Sequence, residues 1–307
     1  MSLPRQVVPG RVYMVTRRCT QRMFLLRPDQ HTNDAFLYCL GFAAQRSDVD
    51  IVAFLAMSNH WHGIVVDRKG RLPEFLECFH KLLAKHQNAL RGRWENFWAS
   101  EQTSLVELVN PEDVLDKMVY TLTNPVADHL VARAHHWPGA TSLRATLRGA
   151  IVEAPRPRHF FHADGPCPPS VTFRVRRPPG FENMTAHEFE CCLRDKIADA
   201  ERAAEFERAE TDRRVLGRAI ILRQSWREQP NSREPRRQLD PRVACRNIWR
   251  RIETLARNKA FVSAYRAMRD LWRAGEDVVF PFGTYWLRRF AGAVCDDDPA
   301  GRPAPAT

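Results

Sequence analysis

Apolar positions along the first part of the chain switch between a period of two and a period near 3.6, and each switch marks an element. The run GRVYMVTRRC (10–19), rich in β-branched and aromatic residues, reads as a strand. NDAFLYCLGFAAQRSDVD (33–50) carries apolar residues at helical spacing, with Asn33 or Asp34 as N-cap. IVAFLAM (51–57) reads as a buried strand, and HWHGIVV (60–66) as its hairpin partner across Ser58-Asn59 or as its continuation. LPEFLECFHKLLAKHQNALRGR (72–93) is an amphipathic helix with Pro73 in its first turn. TSLVELV (103–109) is a short strand, and NPEDVLDKMVYTLTNPV (110–126) is a helix opened by Asn110, Pro111 and acidic first-turn residues. Pro125 is expected to end or kink that helix, with Asn124 at its boundary. The order β-α-β-β-α-β-α predicts an α+β fold: a ferredoxin-like split βαβ unit with an antiparallel sheet and one added helix.

Past residue 145 the pattern changes. Residues 153–181, rich in proline and arginine, read as loops or short strands. Residues 185–228 read as one or two helices, 229–242 as a linker and 245–275 as helix again. The expected division is therefore a catalytic domain over 1–145 and a largely helical basic extension over 146–307. No internal repeat is evident.

Composition changes this picture in three ways. The eight cysteines form no CxxC pair, which argues against a zinc ribbon or disulfide framework and for reduced packing cysteines. No apolar run is long enough for a membrane span, and the N-terminus lacks a basic segment leading into an apolar one, so the expected compartment is the cytosol. The formal charge of +11 favours a polyanionic partner, nucleic acid above all. Residues 1–150 hold 18 Lys/Arg against 14 Asp/Glu and the remainder 29 against 22, so the extension carries more of the surplus.

Candidate chemistry sits in two places. Side chains alternate along a strand, so His60 and His62 point one way and Trp61 the other, with the histidine Cα atoms about 6.5–7 Å apart. Two imidazoles so placed converge on one ion, although two histidines on a solvated sheet face would need none. On the last helix of the unit, Tyr120 and Asn124 are one turn apart on one face. A tyrosine is a covalent nucleophile when activated, and an amide oxygen is a hard metal ligand; the same residues also suit a packed face and a helix end before proline. Arg17, Arg18 and Arg22 follow the first strand and read as phosphate contacts or as a solvated basic turn. FPFGTYWLRR (280–289) mixes aromatics with arginines, as a base-stacking surface or as core beside a basic edge.

Taken together, MSNHWHGIVV (57–66) and, about 60 residues on, YTLTNPV (120–126) resemble the REP-associated tyrosine transposases of the single-tyrosine, His-hydrophobe-His superfamily. In that family the strand motif commonly reads M-P-N-H-x-H and the helix motif Y-x-x-x-N-P-V. HHWPGATS (135–142) resembles the family's tryptophan-proline-serine stretch, without its second aromatic, and Ser58 stands where proline is usual. The resemblance covers roughly residues 8–145. It implies metal-dependent cleavage and strand transfer of single-stranded, hairpin-flanked DNA through a 5′-phosphotyrosine on Tyr120. It also implies Asn124 as third ligand, beside His60 and His62, to Mg²⁺ or Mn²⁺. The general base for the tyrosine is not evident. Two alternatives stay open: a metal-dependent hydrolase using bound water, and a non-enzymatic nucleic-acid-binding regulator derived from a transposase.

Overall fold

A computed structural model describes residues 4–232 and 241–297; most of the linker expected over 229–242 lies outside the described residues. The first seven elements follow the expected order: β1 (Arg11–Arg18), α1 (Gln30–Ser47), β2 (Val49–Ala56), β3 (His60–Asp67), α2 (Leu72–Leu90), β4 (Ser104–Leu108) and α3 (Pro111–Ala127). β3 turns back on β2 across Ser58-Asn59, closed by the Met57 N–H donating to the His60 carbonyl at 2.8 Å. The sheet order is β2-β3-β1-β4, antiparallel throughout, which is the split βαβ arrangement.

Strand alternation splits the core in two. Tyr13, Val15, Phe54, Trp61 and Val65 face α1 and α2. Val12, Met14, Leu55 and Ile64 face α3, whose Val114, Leu115, Met118, Leu122 and Val126 cover the second face of the sheet. A bulge between Ile51 and Ala53 shifts the register of β2 and places both Val52 and Ala53 with the second core. Trp61 is fully buried, and Gly63 makes its placement possible: a Cβ there would lie 2.4 Å from Trp61 Cζ3.

Two local expectations are corrected. α1 begins at Gln30, not at Asn33 or Asp34, because the Asp29 carboxylate accepts the Thr32 N–H at 2.8 Å and caps the helix one turn earlier. Asn33 instead ties the stretch after α3 to α1, donating to the Pro138 carbonyl at 2.9 Å and accepting the Ala140 N–H at 3.0 Å. Pro125 does not end α3 at Asn124; the helix runs three residues further, to Ala127. The proline falls in the last turn, where it forfeits one hydrogen bond and little helix remains to be bent.

The rest of the chain wraps this unit. The stretch from Trp137 to Ser142 lies along the free edge of β2: Trp137 Nε1 donates to the Ala56 carbonyl at 2.9 Å, and Ser142 exchanges hydrogen bonds with the Phe54 backbone. Gly139 permits the approach, since a Cβ would stand 2.8 Å from the Ala56 oxygen. α4 (Leu143–Arg148) spans residue 145, and β5 (Ile151–Pro155) and β6 (Ser170–Arg174) form a hairpin whose Ala154, Val171 and Phe173 enter the first core. α5 (Ala186–Glu210) and α6 (Arg218–Arg223) give Phe189, Leu193, Ile197 and Ile221 to the second core, against α3. β7 (Val243–Ala244) adds a two-residue parallel edge to β4. α7 (Ile248–Arg273) is tied to β4 by Arg257, whose Nη2 donates to both carboxylate oxygens of Glu107 at 2.6 and 2.8 Å. Before and at α8 (Trp286–Ala291), Phe280 is core and Tyr285 and Arg289 bond Glu74, while Trp286 and Phe290 are exposed. Among the described residues no helix is long and apolar enough to cross a membrane.

Candidate active site

His60 and His62 leave β3 on the face that α3 covers, as their spacing requires, and Trp61 leaves on the other. Their Nε2 atoms are 3.0 Å apart. His60 Nδ1 lies 2.6 Å from Asn59 Oδ1, an acceptor, so Nδ1 carries the proton and Nε2 keeps its lone pair. His62 Nδ1 lies 2.9 Å from Thr16 Oγ1, its cross-strand neighbour on β1. A hydroxyl both donates and accepts, so His62 has two consistent tautomers. In one, its Nε2–H donates to His60. In the other, both Nε2 lone pairs face the same point, an arrangement that repels unless a cation lies between them.

Burial, followed by the charges of Arg18 and Arg22, pushes His60 down to about 3. Burial first, then His60, Arg18 and Lys117, holds His62 well below the usual imidazole range. Both rings are therefore neutral at neutral pH, the state a metal ligand needs.

α3 brings the other two residues to the same wall. The Tyr120 ring meets His62 edge-on at 5.6 Å between centroids, and the Lys117 ammonium lies 5.3 Å from the centre of the tyrosine ring. Tyr120 is 44% exposed, open to a substrate, whereas Asn124 is buried. Asn124 Oδ1 has no hydrogen-bond partner, although it borders the cleft. A buried unpaired acceptor costs about 1–3 kcal/mol, a cost that a cation would offset.

These residues fit a divalent cation. Two nitrogens about 2.1 Å from one ion and at right angles to each other stand about 3.0 Å apart, as the two Nε2 atoms do. Among the described residues no group of three or more His, Cys, Asp or Glu side chains is arranged to hold a metal. Among the described cleft-lining residues Asn124 Oδ1 is a buried oxygen without a hydrogen-bond partner, and it would serve as a neutral third donor.

The cleft has a volume of about 830 Å³ and holds His60, His62, Tyr120 and Asn124 together. Of the three arginines expected to follow the first strand, Arg17 and Arg18 are its last two residues and only Arg22 lies beyond it; Arg18 and Arg22 line the cleft and Arg17 does not. Arg17 opposes Trp61 in the ladder and donates to Thr103 Oγ1 at 2.8 Å and the Ala99 carbonyl at 3.3 Å. Arg22 donates to the Ser232 carbonyl and hydroxyl at 2.7 and 3.0 Å. Several lining residues escaped the sequence reading. Asp128 had a signal: it follows Asn124 by four, as Asn124 follows Tyr120, on one helix face. Arg213, Gln224 and the run from Glu228 to Ser232 had none, because loop residues far along the chain carry no period.

No family model matches the chain, and no curated protein matches it. Solved structures are similar to part of it, among them two transposases. A REP-associated tyrosine transposase bound to a REP hairpin shares 19% identity over 48% of this chain and 87% of its own, with a TM-score of 0.38. A "putative transposase" from Deinococcus radiodurans R1 shares 14% identity over 38% of this chain and 93% of its own, with a TM-score of 0.29.

Proposed function

We propose that this chain cuts and rejoins single-stranded DNA through a covalent 5′-phosphotyrosine on Tyr120, with Mg²⁺ or Mn²⁺ held by His60, His62 and Asn124. The observation that carries the reading is the meeting, in one cleft, of two imidazole Nε2 atoms 3.0 Å apart, an unpaired amide oxygen and a solvent-accessible phenol. When bound, the ion supplies Lewis acidity at a non-bridging phosphate oxygen.

The chain's own groups do the rest. Tyr120 Oη forms a bond to phosphorus as the bond from phosphorus to the 3′ oxygen breaks, the phenolic proton goes to solvent and the 3′ oxygen leaves as a hydroxyl. One phosphodiester replaces another, so attack by a 3′-hydroxyl reverses the step without ATP. Asn124, one turn from Tyr120 on the rigid α3, fixes the phenol relative to the ligands. Asn59 and Thr16 orient the two imidazoles from behind. Arg18, which lines the cleft, favours a phosphate backbone.

The test uses hairpin-flanked single strands labelled at either end, incubated with Mn²⁺ and resolved on denaturing gels. A 3′-end label is expected to travel with the protein and a 5′-end label to leave on a strand with a free 3′-hydroxyl. Tyr120→Phe removes only the hydroxyl and is expected to abolish both cleavage and adduct. Cleavage without adduct, at a rate that Tyr120→Phe leaves unchanged, would mean a water nucleophile and a different enzyme.

A further inference from the structure

Gln224 and the run from Glu228 to Ser232 line the cleft, although they lie far beyond the β-α-β-β-α-β-α unit. Three contacts tie this stretch to the loop between β1 and α1. Arg27 donates to the Gln224 carbonyl at 2.7 Å, the Phe24 N–H donates to the Glu228 carbonyl at 2.9 Å, and Arg22 donates to the Ser232 carbonyl at 2.7 Å. The backbone is therefore held, while the side-chain amides of Gln224, Gln229 and Asn231 have no hydrogen-bond partner among the described residues. A buried group in the same cleft is also left over. His129 is 5% exposed, lines the cleft, and its Nδ1 has no partner. The cleft thus holds hydrogen-bonding capacity that the chain itself does not use.

The charge of the stretch differs from that of the rest of the cleft. Its lining residues include one carboxylate, Glu228, and no lysine or arginine. Elsewhere in the lining Arg18, Arg22 and Arg213 stand against Asp128 alone. A phosphodiester is drawn to guanidiniums and repelled by a carboxylate, so a strand in this cleft sets its backbone by the arginines. What then meets the stretch is bases. An amide offers a donor and an acceptor side by side, the complement of an unpaired base edge. In a single strand those edges are open; in a duplex they are taken up by the partner strand.

We propose that Gln224, Gln229 and Asn231 read the base sequence of the strand in the cleft, through hydrogen bonds to unpaired base edges, while Arg18, Arg22 and Arg213 hold its phosphates. This rests on the DNA reading above and assigns the choice of target to the extension.

The experiment selects preferred sequences from hairpin-flanked single strands with a randomised segment, on the full chain carrying Tyr120→Phe so that binding is read without cleavage. Fluorescence anisotropy at fixed salt then compares the selected strand with a scrambled one. The parent is expected to prefer the selected strand by about tenfold or more. The triple variant Gln224→Ala, Gln229→Ala, Asn231→Ala is expected to lose most of that preference, with its affinity for the scrambled strand, its salt dependence and its melting temperature unchanged. Gln229→Glu leaves a side chain that only accepts, and is expected to move the preferred base at one position to cytosine. Arg213→Ala is expected to weaken both strands equally and to lower the salt slope by about one. Binding by the parent without preference, a preference that survives the triple variant, an equal loss on both strands in that variant, or parental preferences in Gln229→Glu would overturn the assignment and leave the DNA reading standing. A parent that binds no single strand would remove the DNA reading and the assignment with it.

Discussion

Asn124 carries two opposed demands. Its Oδ1 is buried without a partner, which costs the fold, and its residue lines the same cleft as the two histidines. Asn124→Leu is therefore expected to raise the unfolding free energy of the metal-free protein by about 1 kcal/mol while sharply weakening Mn²⁺ binding in calorimetry. A variant that is less stable and still binds Mn²⁺ would show that the amide serves packing. His80 gives a second residue-scale test. Its Nε2 accepts the Trp61 indole N–H at 3.2 Å, and burial followed by Arg17 pushes it down to about 3. An unfolded histidine titrates near 6.5, so below that pH the unfolded chain binds the extra proton. Stability from this group is full above about pH 6.5 and is lost as pH falls toward 3, at about 1.4 kcal/mol per pH unit. His80→Gln keeps a polar side chain and removes the titration. Urea unfolding from pH 7 to 4 is expected to show a shallower loss in the variant than in the parent, and identical slopes would exclude His80 as a source. At this scale the sequence was readable wherever one period governed: the histidine pair, Trp61 opposite, and Tyr120 with Asn124. The same alternation separates Arg17 from Arg18, and grouping them as one basic turn ignored it.

Elements were legible where local chemistry decides, as at the box of Asn110 and Asp113 that opens α3. They were less so where two signals competed. Asp29 outcompeted Asn33 for the α1 cap because its carboxylate reaches the Thr32 N–H, whereas Asn33 is occupied across the fold with Pro138 and Ala140. β3 shows what a strand needs beyond alternation. Its two histidines hold their positions because Trp61 anchors the opposite face, and the Trp61 ring lies over Gly63. Gly63→Ala puts a methyl 2.4 Å from Cζ3 of that ring. It is expected to cost about 1–3 kcal/mol in denaturant unfolding and to shift Trp61 fluorescence, since a packed core does not yield freely. Unchanged stability would mean that the indole moves aside without penalty.

At the scale of the whole molecule, the chain beyond residue 145 packs on both sides of the sheet. Phe173 and Val171 enter the core under α1, and Phe189, Leu193 and Ile197 enter the core under α3. A chain cut after Arg148 would bare both surfaces. It is expected to bind a hydrophobic dye, to aggregate and to melt well below the full chain; a monomeric fragment of parental melting temperature would make residues 1–148 self-sufficient. None of this docking was legible, since a hairpin in a proline- and arginine-rich stretch and a helix of low apolar content reveal their faces only once the partner surface exists. The bond from Arg22 to Ser232 spans 210 positions and sets an order in time. The histidine pair, tyrosine and asparagine are all synthesised by residue 124, and Gln224, where the most distant cleft-lining stretch begins, follows about 100 residues later. At about 5–20 residues per second the interval is about 5–20 s, and loop closure over such a span comes after local hairpins in refolding too. Pulse-labelled hydrogen exchange is expected to protect the Val15 amide before that of Phe24, which donates to the Glu228 carbonyl. A nascent chain halted in that interval carries His60, His62, Tyr120 and Asn124 and lacks the distant residues that enclose them in a cleft.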